Sequence, residues 1–172
     1  MSNYAKIKKF SIENGEGIRT SVFFSGCPFN CRNCFNKDIQ DFNVGKPCGM
    51  DMYNEIASSM NEHIRGLSIL GGSPLCDQNC EDTFTLVKMF KKDFPSKDIW
   101  VYTGFTWEQI WLHNDFYSQC RQAILQEIDV LVDGRFVEEE KDLTLKWRGS
   151  KNQRVISVQQ SLAQKKVVLY DE

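Results

Sequence analysis

Apolar residues recur along this chain with two periods, and the switching between them lays out strands and helices in alternation. Thr20-Ser-Val-Phe-Phe-Ser25 is a run of β-branched and aromatic residues that predicts a first strand. From Asp51 to His63, Met52, Ile56 and Met60 fall every fourth residue, with Ile64 next, which predicts a helix with one apolar stripe. Leu67-Ser-Ile-Leu70, closing on Gly71-Gly72, reads as a buried strand. Thr83 to Phe94 carries helical spacing through Phe84, Val87 and Phe90 until Pro95, whose ring cannot continue a helix. Asp98-Ile-Trp-Val-Tyr-Thr103 predicts a third strand ended by Gly104. Helical material follows from Thr106 towards Gln126, broken near His113-Asn-Asp115. Ile128-Asp-Val-Leu-Val132 predicts a fourth strand stopped by Asp133-Gly134. Val155 to Val158 and Val167 to Tyr170 look like two short strands forming a terminal hairpin.

This rhythm predicts an α/β fold with a mainly parallel sheet, whose functional loops gather at the C-terminal ends of the strands. A complete eight-stranded barrel takes about 250 residues, and 172 are present. An open partial (β/α) barrel is therefore expected, with the loop after Ser25 at the C-terminal end of the first strand. That loop, Gly71-Gly72, Tyr102-Thr103-Gly104 and Asp133-Gly134 would share one rim. No repeat, low-complexity tract or linker-like segment divides the chain, so residues 1–172 read as a single domain. A formal charge of -2 with interspersed signs argues against a dedicated nucleic-acid or membrane-surface protein. Met1 to Phe10 contains lysines but no apolar core of a signal peptide, and no run approaches about 18 apolar residues. Seven cysteines in such a chain point to a reducing, cytoplasmic setting, where thiols serve metals or chemistry more often than disulfides.

The chemistry concentrates in Cys27-Pro-Phe-Asn-Cys31-Arg-Asn-Cys34, three thiols within eight residues. Four cysteines close a structural zinc or iron-sulfur site; three leave one position open for a substrate or cofactor. The same triplet also suits a zinc with a distant fourth ligand, or an electron-transfer cluster completed by Cys48, Cys76, Cys80 or Cys120. Those four are scattered, and the simpler reading makes them reduced structural thiols. The C-x3-C-x2-C spacing resembles that of the radical S-adenosylmethionine enzymes.

Further segments narrow the resemblance. Asn14-Gly-Glu-Gly-Ile-Arg19 leads into Phe24-Ser-Gly-Cys27, and Cys34-Phe35-Asn36 leaves the loop. Gly71-Gly72-Ser73-Pro74-Leu75, Lys97-Asp-Ile-Trp-Val-Tyr-Thr-Gly104 and Asp129-Val-Leu-Val-Asp-Gly134 follow. Phe136-Val-Glu-Glu-Glu-Lys-Asp-Leu-Thr-Leu-Lys-Trp-Arg-Gly-Ser150 with Asn152-Gln-Arg154 is the most discriminating. Together, from about Ile12 to Ile156, they resemble the activating enzymes of anaerobic, class III, ribonucleotide reductases. The resemblance implies one 4Fe-4S cluster on Cys27, Cys31 and Cys34, with S-adenosylmethionine bound at the open iron. It implies one-electron cleavage of the cofactor to a 5'-deoxyadenosyl radical, which takes a hydrogen atom from a glycine of the reductase. The implied partners are that reductase and a flavodoxin or ferredoxin donor, with homodimer formation left open. Gly71, Gly72 and Ser73 would meet the methionine end of the cofactor, Asn33 and Phe35 its adenine side, and Tyr102, Thr103 and Asp133 would complete the pocket. No side-chain acid or base is needed, and His63 and His113 read as ordinary surface residues.

Three positions depart from the family pattern. Ser73 stands where an acidic residue usually follows the diglycine, so Asp77 is a candidate to compensate. Glu16 replaces a common proline, and Asn33 stands where an aromatic residue often precedes the third cysteine. Glu138 to Asp142 reads as a solvated turn. Lys146, Arg148, Lys151 and Arg154 form a basic loop suited to docking a partner, and Trp100, Trp107 and Trp111 are expected to pack.

Overall fold

The computed structural model describes residues 1–170. One seven-stranded sheet runs in the order β3-β1-β2-β4-β5-β6-β7. Its middle is parallel: β2 (Arg19–Phe24), β4 (Gly66–Gly71), β5 (Asp98–Tyr102) and β6 (Val130–Asp133) lie side by side in one direction. Its flanks are antiparallel, with β1 (Asn3–Ser11) on β2, β3 (Lys46–Pro47) on β1, and β7 (Arg154–Ser157) on β6.

Alternation along the central strands separates the two faces of the sheet. Val22, Phe24, Leu67, Ile69, Ile99, Val101 and Leu131 join the main core. They meet the apolar stripes of α1 (Met50–Ser59), α2 (Cys80–Asp93), α3 (Trp107–Leu112), α4 (Phe116–Leu125) and α5 (Val158–Gln164). Full burial of a side chain such as Ile56 or Phe90 contributes about 1.5–3 kcal/mol. The intervening residues face the other way. Phe23 and Leu70 pack under Ile39 and Val44, while Trp100, Val130 and Val132 pack under Trp147, Val155 and Tyr170. Helices thus cover one face and loops only part of the other. A cavity lies on that second face, between the sheet and the loops.

The sheet differs from the sequence expectation at both flanks. The strand that feeds the cysteine loop is the second, because β1 precedes it. Asn3–Ser11 carries Lys6, Lys8 and Lys9 and lacks β-branched residues apart from Ile7, so its composition conceals an edge strand. The expected terminal hairpin is half present. Val155 lies in β7, but the chain then forms α5 and turns at Lys165, which sits in the left-handed region at φ 57°. Only a bridge from Ile156 to Leu169 survives of the second strand. The interruption at His113 to Asp115 separates α3 from α4, with Asp115 accepting the Ser118 N–H at 2.8 Å.

Candidate metal centre and cofactor cavity

The loop after β2 is pinned at its base by the backbone. Gly26 N–H donates to Ile39 at 2.8 Å and Cys27 N–H to Gln40 at 3.0 Å, so residues 27–39 form a closed excursion carrying all three cysteines. Asn30 and Asn33 hold φ of 49° and 56°. Asparagine tolerates this left-handed conformation better than an aromatic residue, which accounts for Asn33 in this chain.

Cys27, Cys31 and Cys34 are each half-buried and line one cavity of about 430 Å³. Burial pushes the Cys27 thiol up, while the N–H groups of Phe29 and Asn30 act in the opposite sense. Cys31 is also pushed up by burial, opposed by the Phe136 N–H and the Arg135 charge. Asn36 N–H lies 3.4 Å from Cys34 Sγ. Donors aimed at sulfur stabilise thiolate and tune a bound cluster. Among the described residues, no group of three His, Cys, Asp or Glu side chains is placed to hold a single ion. Three cysteine thiols facing one cavity are a donor set that an iron-sulfur cluster takes.

The diglycine that ends β4 is packed against this loop. Gly72 N–H donates to Phe24 and Ser73 N–H to Gly26, each at 2.8 Å. Gly71 has φ 112°, and a Cβ there would lie 2.5 Å from the Phe24 carbonyl oxygen. Close contact between two backbones therefore demands these glycines, and both also line the cavity. Asn79, fully buried at the start of α2, donates to the Ser25 and Ser73 carbonyls at 3.0 Å each. Asn36 donates to the Gly71 carbonyl at 3.1 Å.

The remaining walls come from the loops after β5 and β6. Tyr102 and Thr103 line the cavity. The Tyr102 hydroxyl is buried without a partner, and burial pushes the phenol up. Thr103 Oγ1 accepts the Phe105 N–H at 3.1 Å and so also finishes a turn. Phe29 packs edge-on against Phe105 at 5.0 Å, with the Arg135 guanidinium 4.5 Å above its ring. Phe35, 57% exposed, rests on Phe136 at 4.9 Å. Gly149 lies so close that a Cβ would come 2.5 Å from the Phe35 ring. Arg135, Phe136, Leu145, Trp147, Arg148 and Gly149 thus also wall the cavity, whereas of this stretch only Lys146 and Arg148 were given a role, as part of a docking loop with Lys151 and Arg154.

Other expected contacts lie elsewhere. Ser73 is fully buried, outside the cavity lining, and its hydroxyl has no partner. Asp77 is committed to Arg121 at 2.9 Å and is not positioned to replace an acid at position 73. Asp133 is 1% exposed; its carboxylate accepts the Trp107 N–H at 2.8 Å and binds Arg154 at 2.6 Å. Asn33 is exposed and outside the lining. Glu16 reaches Arg65 at 3.3 Å and accepts the Tyr170 hydroxyl, a tie to the C-terminal segment that proline lacks. Arg154 also pairs with Glu108 at 2.7 Å, so it is not a free docking charge. Lys6, Lys8 and Glu13 enter the cavity because β1 exists, which the sequence concealed. Trp100 packs against Trp147 at 5.1 Å and Trp107 against Trp111 at 6.0 Å. Cys48, Cys76 and Cys80 are buried thiols.

Comparison with known proteins shows the family. Residues 13–156 match the model of a 4Fe-4S single cluster domain. Anaerobic ribonucleoside-triphosphate reductase-activating proteins of Salmonella typhi and Escherichia coli are each 37% identical to this chain. The first aligns over 88% of this chain and 96% of the relative, the second over 89% and 97%. The counterpart from Vibrio cholerae is 36% identical over 88% of this chain and 95% of its own length. No helix among the described residues is long and apolar enough to cross a membrane. The chain belongs to the family of anaerobic ribonucleoside-triphosphate reductase-activating proteins, which use a 4Fe-4S cluster with S-adenosylmethionine.

Proposed function

We propose that this chain activates an anaerobic ribonucleoside-triphosphate reductase by creating a glycyl radical on it. The observation that carries the reading is the convergence of three thiols, the diglycine and the family's distinguishing tail on one cavity. When bound, the cluster and S-adenosylmethionine supply a one-electron cleavage of the carbon–sulfur bond, giving methionine and a 5'-deoxyadenosyl radical that takes the glycine's α-hydrogen. The chain's own residues bind and orient. Cys27, Cys31 and Cys34 serve as thiolate ligands, their charge stabilised by the surrounding N–H groups. Gly71 and Gly72, held by backbone packing against Phe24 and Gly26, present their main chain to the amino-acid end of the cofactor, and Phe35, held by Phe136, offers a ring for adenine. The buried Tyr102 hydroxyl, lacking a protein partner, is a donor for the ligand. Thr103 lies beside it. Ser73 and Asp133 act behind the cavity wall, and Asn33 shapes the turn of the cysteine loop, rather than touching the cofactor.

We read residues 1–172 as one functional domain and the sheet, with helices on one face, as an open partial barrel. The electron comes from a flavodoxin or ferredoxin in the cytoplasm, and a homodimer is compatible with the sequence. Anaerobic mixing of the reduced, cofactor-loaded protein with its reductase tests the function. A doublet glycyl signal with stoichiometric 5'-deoxyadenosine is expected; cofactor cleavage with no radical on the reductase contradicts the assignment.

A further inference from the structure

The outer edge of β1 is open along most of its length. β3 pairs with it only at Asn3 and Tyr4, and among the described residues no strand pairs with this outer edge from Ala5 to Ser11, β2 lying on the inner one. This edge reads Ala-Lys-Ile-Lys-Lys-Phe-Ser. Lys6 and Lys8 line the same cavity as the three thiols; Lys6 lies 4.7 Å over the Phe23 ring, and Lys8 is 3.0 Å from Glu13. Phe10 is 74% exposed and Ile12 72% exposed beside them. The edge therefore borders the cavity and joins unpaired backbone groups, positive charge and two bare apolar side chains.

Unpaired edges invite another strand, and lysines discourage a second copy of the same edge through like charge. An acidic strand meets no such barrier and gains by complementarity. We propose that an extended, acidic segment of the reductase adds to β1 as an outer strand along residues 5–11. Its apolar side chains cover Phe10 and Ile12, and it carries the reactive glycine towards the cavity. Seven strand residues span about 23 Å, enough to fix the direction of approach. This docking rests on the activase reading above.

The test uses the cluster-loaded full chain and a Lys9→Glu/Phe10→Asp double variant, since both side chains are exposed and outside the cavity lining. Affinity for the reductase, measured anaerobically by calorimetry, is expected to fall at least tenfold, and glycyl radical yield with it. Cleavage of S-adenosylmethionine without reductase, the cluster's paramagnetic signal and the melting temperature should remain those of the unaltered protein. Hydrogen exchange should slow at the amides of residues 5–11 when reductase binds. Unchanged affinity in the double variant with unprotected β1 amides overturns the docking alone. An unaltered protein that cleaves the cofactor yet neither binds nor radicalises the reductase overturns the activase reading, and the docking with it.

Discussion

A Cβ placed on Gly72 would lie 2.3 Å from the carbonyl oxygen of Gly26. The diglycine and the cysteine loop are therefore packed backbone on backbone, which couples the position of the thiols to the cavity floor. Gly72→Ala should destabilise the protein by about 1–3 kcal/mol through overpacking. It should also lower the iron retained after anaerobic reconstitution. Denaturant unfolding and iron analysis measure the two effects; an alanine variant with unaltered stability and full iron content would show that the loops yield freely.

Asn79 and Ser73 share one buried corner but predict opposite outcomes. Removing the Asn79 amide leaves the Ser25 and Ser73 carbonyls without its hydrogen bonds, so Asn79→Ala should cost about 2–3 kcal/mol. The Ser73 hydroxyl is fully buried and bonded to nothing. Ser73→Ala should therefore be neutral or stabilising, with unchanged cofactor affinity. A large loss of affinity in Ser73→Ala would restore this residue to the cofactor pocket.

Asp133 supports a helix start and the tail rather than the ligand. Asp133→Asn weakens the charge-assisted bonds to Arg154 and should lower stability by about 1–3 kcal/mol. S-adenosylmethionine affinity, read from the cofactor-induced change in the cluster's paramagnetic signal, should remain within about twofold of the unaltered protein. Tyr102→Phe is expected to do the reverse, weakening cofactor binding while leaving stability nearly unchanged, because the lost hydroxyl has no protein partner.

Thiol reactivity separates the cysteines by burial. Burial pushes Cys48 up to about 12 and Cys76 up to about 11 from an ordinary 9. The folded state thus holds these protons more tightly than the unfolded chain. Its advantage is complete below pH 9 and is lost as pH rises through 11 and 12. Unfolding free energy should accordingly fall across that alkaline range. In native, iron-free protein at pH near 8, iodoacetamide should label Cys27, Cys31 and Cys34 well before Cys48, Cys76 and Cys80. Mass spectrometry of the labelled peptides checks the order, and early labelling of Cys76 would contradict the packing described.

The parallel centre of the sheet was legible because each strand carries a short β-branched, aromatic or aliphatic run ended by glycine or a Gly-containing turn. So were the three thiols, because spacing alone brings them together. β1 was not legible: an edge strand solvated on one side can be lysine-rich without loss, so its sequence resembles a loop. Nor did the sequence distinguish Tyr102 from Asp133. Both end strands on the expected rim, but whether a polar group faces the cavity or a helix N-terminus depends on the turn that follows. Glu16 and Asn33 looked like departures when compared with relatives. Their reasons, the tie to Tyr170 and a left-handed backbone, arise from contacts and dihedrals that no local pattern encodes.

The central claim is that three cysteines hold a cluster with one iron open to S-adenosylmethionine. Electron paramagnetic resonance of anaerobically reconstituted, dithionite-reduced protein, recorded with and without the cofactor, tests it directly. A reduced 4Fe-4S signal that changes shape on addition of S-adenosylmethionine, and disappears in Cys31→Ala, is the predicted result. A cluster signal indifferent to the cofactor, or zinc held in place of iron, would contradict it.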